Sequence, residues 1–215
     1  MKSAERLEAI KNFTYENVCK GRSLKMPVFE KALQRNDEPF KVAYTEPKVY
    51  IGLYPQKQGN TPKMESKMAP SILIVPGTSY AGRFKEQRFD QYKNLRRQPD
   101  LMAELSVQWI FCIYDPGKRV KEYAGEAKRE DIKDNTEQAI YTLTDWMDEL
   151  QAYLMGIEIV DGTDLYIMQD SVRWGMLSSE GSVEDLRPYY FGMVEAIFGT
   201  YVNRKENQRI NNLLN

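Results

Sequence analysis

Histidine is absent from all 215 residues of this chain. Histidine is the commonest general base near neutral pH and the commonest metal-binding side chain. Its absence excludes the usual Ser–His and Cys–His nucleophile pairs and every histidine-based metal site. Carboxylate chemistry stays open as an enzymatic interpretation, because it needs only Asp or Glu side chains.

Cysteine, long apolar runs and net charge are also scarce. The two cysteines, Cys19 and Cys112, form no CxxC motif, which indicates a reducing compartment with free thiols unless the fold brings them together. No apolar run approaches the roughly 18 residues of a spanning helix, and the N-terminus lacks the apolar centre of a signal peptide. We therefore expect a protein that is made and kept in a cytoplasm. The formal net charge of −1 gives no overall attraction to nucleic acid or to an anionic membrane.

The composition that remains is typical of a folded protein, since 42% hydrophobic residues suffice to bury a core without disulfides. We expect a single domain over residues 1–215. Residues 1–38 form a helical segment, and residues 39–202 form an α+β core. A polar stretch rich in Pro and Gly and a basic, aromatic stretch place a loop or extended arm at residues 55–100 of this core. Residues 203–215 form a polar tail.

Apolar residues at three- and four-residue spacing predict three helices. The first covers residues 3–20 and ends at Gly21. A short second helix covers residues 26–33, with a proline in its first turn. The third and longest covers residues 131–155. Its wide apolar stripe consists of Ile132, Ala139, Ile140, Leu143, Trp146, Met147, Leu150 and Leu154.

Apolar residues in alternation predict a set of strands. They cover residues 42–45, 49–54, 71–76, 101–114, 165–168, 171–177 and 189–202. Pro47 separates the first two as the turn of a hairpin, and 101–114 is apolar on both faces near its end, as a central strand would be. The stretches 118–131 and 178–186 are predicted as loops. This order of elements indicates an α+β fold, in which one long helix packs on a mostly antiparallel sheet.

Carboxylates form one group of candidate functional residues. The predicted long helix carries Asp145, Asp148 and Glu149, which fit a solvated helix face. Glu195 is unusual because it lies within the apolar last strand. We favour an ion pair between Glu195 and Arg173 or Arg187, within one subunit or between two. A carboxylate-dependent enzyme or metal-binding protein that combines Glu195 with the helix acids is the alternative.

Basic and aromatic residues form a second group, within the predicted arm. Arginine and tyrosine are enriched at protein interfaces, so we favour a protein-binding arm over a solvated surface or a nucleic-acid site. The aromatic last strand has the composition of a subunit edge, although its aromatics could equally fill the core. The candidate interface residues are Arg83, Lys85, Arg88, Arg96, Arg97, Arg173, Arg187, Tyr189 and Glu195. No catalytic, cofactor-binding or metal-binding residue is predicted.

Four segments, in this order, resemble a family of phage proteins. They are 110-IFCIYDPG-117, 131-DIKDNTEQAIYTLTDWMDELQAYL-154, 170-DSVRWGML-177 and 186-LRPYYFGMVEAIFG-199. Together they resemble the tail terminator, or tail completion, proteins of phages and prophages of Gram-positive bacteria. The resemblance covers the C-terminal half of the chain and contains no catalytic signature.

This resemblance implies a structural α/β subunit of the virion that assembles in the host cytoplasm as a ring, usually a hexamer. Such a ring caps the head-proximal end of the tail tube, stops its polymerisation and docks on the head–tail connector. In contractile tails it also contacts the sheath. No active site or cofactor is implied, and no membrane or sequence-specific nucleic acid is a partner. Another neck, head-closure or tube-associated subunit is the alternative within the virion.

Overall fold

A sheet rich in antiparallel strands, with helices packed on one face, makes up the mixed α/β architecture of the chain. The computed structural model describes residues 3–27, 42–53, 69–82, 102–124, 127–133, 136–176, 178–179, 182–183 and 188–201. Of the predictions above, residues 28–33 of the short helix, most of the arm and the polar tail lie outside these ranges.

The N-terminal helix, α1, spans Ser3–Thr14 and continues as a π-helical turn over Tyr15–Cys19. Its extent confirms the helix predicted at residues 3–20. Gly21 follows with a φ of 77°. Glycine adopts this left-handed conformation at little cost, whereas residues with a side chain rarely adopt it. The N–H of Arg22 donates to the carbonyl of Cys19 at 3.0 Å and closes the helix end.

Twelve strands are described. They are β1 (Leu24–Pro27), β2 (Val42–Thr45), β3 (Lys48–Ile51), β4 (Ser71–Gly82), β5 (Met102–Tyr114), β6 (Lys118–Ala124), β7 (Ala127–Lys133), β8 (Leu165–Ile167), β9 (Arg173–Met176), β10 (Ser178–Ser179), β11 (Ser182–Val183) and β12 (Tyr189–Tyr201). The main sheet has the order β3-β4-β5-β12-β8, and β9 pairs with β12 beside β8. Its pairs are antiparallel except β3 with β4. The central position of β5 confirms the prediction from its two apolar faces.

Three predictions in the first half of the chain are corrected. Met26 and Pro27 belong to β1, which pairs with β2, so the second helix cannot begin at residue 26. Pro47 does not turn a hairpin, because β3 pairs in parallel with β4 and not with β2. β4 continues beyond Pro76 to Gly82 through a register shift, so residues 77–82 belong to the sheet and not to the predicted arm. Each element was too short or too irregular for periodicity to identify its partner.

Two predictions around the second helix, α2 (Thr136–Gly156), are also corrected. The charged stretch 118–131 forms most of the hairpin β6–β7, in which Lys118 pairs with Lys133. Asp131 and Ile132 therefore lie in a strand, and α2 begins later than predicted. The polar stretch 178–186 contains the two-residue strands β10 and β11. The residues of β6 and β7 are mostly charged, so the sequence lacks the alternation of apolar and polar residues that indicates a strand.

The core lies between the sheet and the helices. Six buried residues of α2 face the sheet, and all belong to the predicted stripe: Ala139, Leu143, Trp146, Met147, Leu150 and Leu154. Opposite them are Val107, Trp109 and Phe111 of β5 and Val194, Ala196 and Phe198 of β12. Phe111 meets Trp146 edge to face, with ring centroids 4.9 Å apart. No described helix is long and apolar enough to cross a membrane.

Two tryptophan side chains attach the N-terminal helix to this core. Trp109 of β5 donates its indole N–H to the Thr14 hydroxyl at 2.9 Å, and that hydroxyl donates to the Ile10 carbonyl at 2.8 Å. Trp146 of α2 donates its indole N–H to the Val18 carbonyl at 2.8 Å. Both indoles are fully buried, so these bonds satisfy donors that would otherwise be costly to remove from water.

A polar network attaches the start of α1 to the end of β12. Arg6 forms a two-point contact with Asp164, with Nε–Oδ1 and Nη2–Oδ2 distances of 3.1 and 2.7 Å. The buried Thr200 hydroxyl accepts a bond from Arg6 at 2.8 Å and donates to Asp164 at 2.9 Å. Hydrogen bonding from Arg6 lowers the pKa of Asp164 to about 2, against the desolvation that would raise it.

Asp164→Asn is expected to lower the free energy of unfolding at neutral pH by roughly 1–2 kcal/mol, because Arg6 loses a charged acceptor while the partial exposure of the pair weakens it. The Asp164 pKa is depressed on folding, so its contribution is complete above about pH 4 and is lost as the pH falls through about 2. Urea unfolding of the variant and the wild type between pH 3 and pH 7 tests this. Lys11→Gln, which breaks a more exposed pair with Glu8, is the control with little expected effect. An unchanged stability of Asp164→Asn at neutral pH would contradict the prediction.

Two glycines of β12 allow other groups to approach the strand closely. A Cβ at Gly192 would lie 2.3 Å from the Met147 sulfur, and a Cβ at Gly199 would lie 2.2 Å from the Tyr166 ring. The absence of a side chain at Gly192 lets Met147 of α2 pack directly on the strand, and its absence at Gly199 lets the Tyr166 ring of β8 lie across the strand. Both glycines therefore serve packing.

Gly199→Ala is expected to destabilise the fold more than Gly192→Ala. The Tyr166 ring is rigid and must move as a body, whereas the Met147 thioether can adopt another rotamer. We expect a loss of about 1–3 kcal/mol for Gly199→Ala and the lower end of that range for Gly192→Ala. Thermal unfolding of the two variants measures the difference, and a reversed order would contradict the packing described.

Candidate interaction surface

The last strand, β12, divides its residues between two faces. Tyr190 and Phe198 point toward the helices and are buried, at 8% and 0% exposure. The alternate residues are only half-buried and lie on the other face, beside their β5 partners. We call this surface the outer sheet face: Tyr189, Phe191, Met193, Glu195 and Ile197 of β12, with Ser106, Gln108, Ile110, Cys112 and Tyr114 of β5. The aromatics of the strand are thus shared between the core and the outer sheet face.

A tilted aromatic pair marks one end of the outer sheet face. Tyr114 and Tyr189 are direct partners in the ladder, and their ring centroids are 5.4 Å apart. Burial raises the pKa of both hydroxyl groups, so both stay protonated at neutral pH. This face offers apolar and aromatic area that keeps some exposure, as contact surfaces do.

Glu195 is the charged residue in the middle of this face. Its carboxylate accepts a hydrogen bond from the Ser106 hydroxyl at 3.2 Å. Arg173 of β9 is its direct neighbour across the strand pair, and Gln108 of β5 is its neighbour on the other side. Among the residues that the structure describes, no ion pair joins Glu195 to Arg173, and Arg187 lies outside them. The hydroxyl donor was not identified from the sequence because it depends on strand register.

The sheet separates the carboxylates that the sequence suggested as a catalytic or metal-binding group. Asp145 and Asp148 are exposed on α2, which covers one face of the sheet, whereas Glu195 lies on the other face. Glu149 pairs with Arg22, whose guanidinium lies 5.8 Å from the Trp146 ring centroid. No group of three or more Cys, Asp or Glu residues that could hold a metal ion occurs in the described part of the chain.

Six of the nine predicted interface residues lie outside the described ranges. They are Arg83, Lys85, Arg88, Arg96, Arg97 and Arg187. Gly82 and Met102, the described residues on either side of the basic stretch 83–101, are partners in the β4–β5 ladder.

A cleft of about 270 Å³ was missed from the sequence. It is lined by Ser23, Leu24, Lys25, Tyr44, Ile113, Tyr114, Asp115, Gln138, Ala139 and Thr142. Lys25 donates to Oδ2 of the buried Asp115 at 2.7 Å, and the N–H of Gly117 donates to Oδ1 at 3.1 Å. Tyr44 is 62% exposed at the side of the cleft. Lys25 and Asp115 are 90 residues apart, so only tertiary packing brings them together.

Both cysteines are free and buried, on opposite faces of the sheet. Cys19 belongs to the core under the helices, while Cys112 alternates with the core residues Phe111 and Ile113 and so lies on the outer sheet face. Burial raises the pKa of each thiol to about 12, which keeps both protonated at neutral pH. The fold therefore leaves the two thiols unbridged and unreactive.

Neither thiol is expected to react appreciably with an aromatic disulfide reagent in the native protein at pH 7–8. Both should react after unfolding in denaturant, because the thiolate then forms at an ordinary pKa. Absorbance at the released thiolate counts the reactive cysteines, and Cys19→Ser and Cys112→Ser assign them. Fast reaction of either thiol in the folded chain would show that its burial is wrong.

In comparisons with known proteins, no protein-family model and no curated protein matches the chain. Its described surface offers two features for binding, the outer sheet face and the cleft beside Lys25 and Asp115.

Proposed function

We propose that this chain is a structural subunit of a phage virion and acts as a tail terminator. In this proposal it forms a ring at the head-proximal end of the tail tube, stops polymerisation of the tube and joins the tail to the head connector. The observation that carries the proposal is β12, which resembles the corresponding segment of that family and presents Tyr189, Phe191 and Met193 on a half-buried face.

The outer sheet face is the surface that we assign to the tube. A tube end presents a ring of identical subunits, and each terminator subunit needs a mainly apolar face with few charges to match one of them. Glu195 fits such a face because the Ser106 hydroxyl already satisfies part of its carboxylate. Arg173 at the border supplies a positive charge that can meet an acidic group of the tube protein.

The basic stretch 83–101 is assigned to contacts between virion subunits. It carries Arg83, Lys85, Arg88, Arg96 and Arg97, and its flanking residues Gly82 and Met102 are partners in the β4–β5 ladder. An arm of this kind can reach a neighbouring subunit, the connector or, in a contractile tail, the sheath. We propose a hexamer located in the neck of the virion, with no catalytic centre and no cofactor.

The separation of Glu195 from the helix acids supports a structural role over the carboxylate-dependent enzyme. Paired-carboxylate chemistry needs its two groups within about 5–10 Å of each other across one cleft. Here α2 and the outer sheet face lie on opposite sides of the sheet. A site that joined these acids would require the sheet to be dismantled.

The purified chain, added to tail tubes of its phage, is expected to appear as a ring at one end of each tube in electron micrographs. Capped tubes should no longer lengthen at that end when fresh tube protein is supplied. Met193→Arg, in the outer sheet face, should abolish capping, because it places a charge in an apolar contact.

Asp148→Arg is the matched control, since it adds the same side chain on the exposed surface of α2. Capping by this variant should match that of the wild type, with circular dichroism confirming that both variants fold. A strict monomer that never associates with tube ends would overturn the proposal. A ring that is found in particles on the connector, and not at the end of isolated tail tubes, would assign the chain to head closure instead.

A further inference from the structure

Short strands form both edges of the main sheet. β3 lies at one edge, β9 lies beside β8 at the other, and β3 and β9 are each four residues long. In the part of the chain that the structure describes, no strand pairs with the outer side of either. The outer side of β8 is closed, because Leu165 and Ile167 hydrogen-bond to Val160 and Glu158. An open edge strand is a template on which another strand can pair.

The alternation of hydrogen bonds identifies the outward backbone groups of β3. The N–H of Lys48 donates to the Pro70 carbonyl at 3.3 Å, and the N–H of Gly52 donates to the Ile74 carbonyl at 2.8 Å. The even-numbered residues of β3 therefore bond to β4. Since successive residues of a strand turn their backbone groups to opposite sides, the N–H and C=O groups of residues 49 and 51 point away from the sheet.

The same alternation identifies the outward groups of β9. The backbone of Ile197 in β12 hydrogen-bonds to Met168 at 3.0 Å and to the Ser171 hydroxyl at 2.8 Å, so the odd-numbered residues of β12 face β8 and β9. Their direct partners in β9 are the odd-numbered residues of that strand. The even-numbered residues, Trp174 and Met176, therefore turn their N–H and C=O groups outward.

The outward-facing residues of the two edges share one face of the sheet. Two rows of directly paired residues cross the sheet from β3 to β9: Val49–Ile72–Phe111–Gly192–Met176 and Ile51–Ile74–Trp109–Val194–Trp174. The middle residues of both rows are buried under the helices. Two edges continue one sheet only if their outward backbone groups belong to residues on the same face, and these two edges meet that condition.

We propose that β9 of one copy of this chain pairs with β3 of the next copy, so that the main sheet continues from subunit to subunit. This inference rests on the proposed ring and specifies its lateral contact. Two different edges form a heterologous contact, which is the kind that generates a ring when the rotation closes. The outer sheet face remains available for the tube, because the contact uses only the edges.

The strand directions make this pairing antiparallel. One parallel and three antiparallel pairs lead from β3 to β9, so the two strands run in opposite directions within the sheet. Rotation about the ring axis preserves the direction of each strand along that axis. One antiparallel register uses all the outward residues: it pairs Trp174 with Ile51 of the next copy, and Met176 with Val49 of the next copy.

This register also covers side chains at both edges. Trp174 is 45% exposed at one edge, and Leu53, directly after β3, is 83% exposed at the other. Gly175 comes to lie opposite Tyr50 of the next copy. No atom lies within 4 Å of the position that a Cβ of Gly175 would take. The aromatic ring therefore has room to cover this edge glycine, an arrangement that stabilises strand pairs.

Lysine substitutions test the two edges of the full-length chain. Trp174→Lys and Leu53→Lys should each weaken self-association by at least roughly tenfold, because a charge at an edge opposes strand pairing. Sedimentation velocity over a concentration series measures this. Tyr141→Lys is the matched control, since Tyr141 is 54% exposed on α2, away from both edges. It should assemble as the wild type does, and circular dichroism checks the folding of all three variants.

A disulfide tests the register directly. Gly175 and Tyr50 of the next copy form a pair that is not hydrogen-bonded, with Cα atoms about 4.5 Å apart, which a disulfide can span. The double variant Gly175→Cys/Tyr50→Cys should oxidise to a ladder of covalent oligomers that ends at the closed ring, seen by non-reducing electrophoresis. Gly175→Cys/Lys48→Cys is the control and should not cross-link, because its Cα atoms lie roughly 7–8 Å apart.

Single cysteine variants test the twofold alternatives. Two β9 edges would bring Gly175 opposite Gly175, and two β3 edges would bring Tyr50 opposite Tyr50. Neither Gly175→Cys nor Tyr50→Cys alone should therefore form a covalent dimer on oxidation. Both native cysteines are buried, so they do not contribute cross-links. A covalent dimer from either single variant would replace the proposed contact with a twofold one.

A double variant that associates but does not cross-link would reject this contact. A wild-type chain that is monomeric at every concentration would reject it too. Tube capping decides the proposed function separately. Rings that cap tubes without the cross-link would leave the terminator intact and reject the contact, whereas cross-linked rings that never cap tubes would reject the terminator and keep the contact.

Discussion

Burial of two indole N–H groups is the constraint on which the arrangement of layers depends. Trp109 belongs to the sheet and Trp146 to α2, and neither retains any exposure. A buried donor without an acceptor costs about 1–3 kcal/mol, so each ring requires an oxygen at a fixed place. Both oxygens come from the end of the N-terminal helix, at Thr14 and Val18. Sheet, α2 and α1 can therefore satisfy their polar groups only in one relative arrangement.

The π-helical turn at Tyr15–Cys19 helps to place the oxygen atoms that the two indoles require. Between Thr14 and Val18 the helix widens, and the N–H of Lys20 reaches back to the Tyr15 carbonyl. The Val18 carbonyl is then free to accept the Trp146 indole and, at 3.2 Å, the Arg22 guanidinium. Widened turns of this kind often occur where a helix meets a special demand. Here the demand is structural, because one short segment must serve two tryptophans.

Periodicity predicted the elements in which it persists for ten residues or more. The first helix, the stripe of α2 and the strands β5 and β12 all follow from the sequence, since each repeats one pattern along a single environment. β1 is only four residues long, and the hairpin β6–β7 has the charged composition that is typical of a loop. Their pairing depends on contacts between strands, which a local window does not contain.

The candidate surface was predicted in outline but not in its contacts. Alternation placed Tyr189 and Glu195 on one face of the last strand, and the strand does separate a buried face from a half-buried one. The Ser106 donor to Glu195 is 89 residues away and depends on register. The cleft was missed for the same reason. It is assembled from short segments, such as those of Lys25 and Asp115, that share no periodic pattern.

The contact between Arg6 and Thr200 also determines when this protein can complete its fold. These residues are 194 positions apart, so Arg6 is synthesised long before the strand that supplies Thr200. At roughly 5–20 residues per second, that interval is on the order of 10–40 s. During it, β5 also lacks its antiparallel partner β12, and the core lacks Phe198. The N-terminal helix is therefore fully attached to the core only after synthesis of β12.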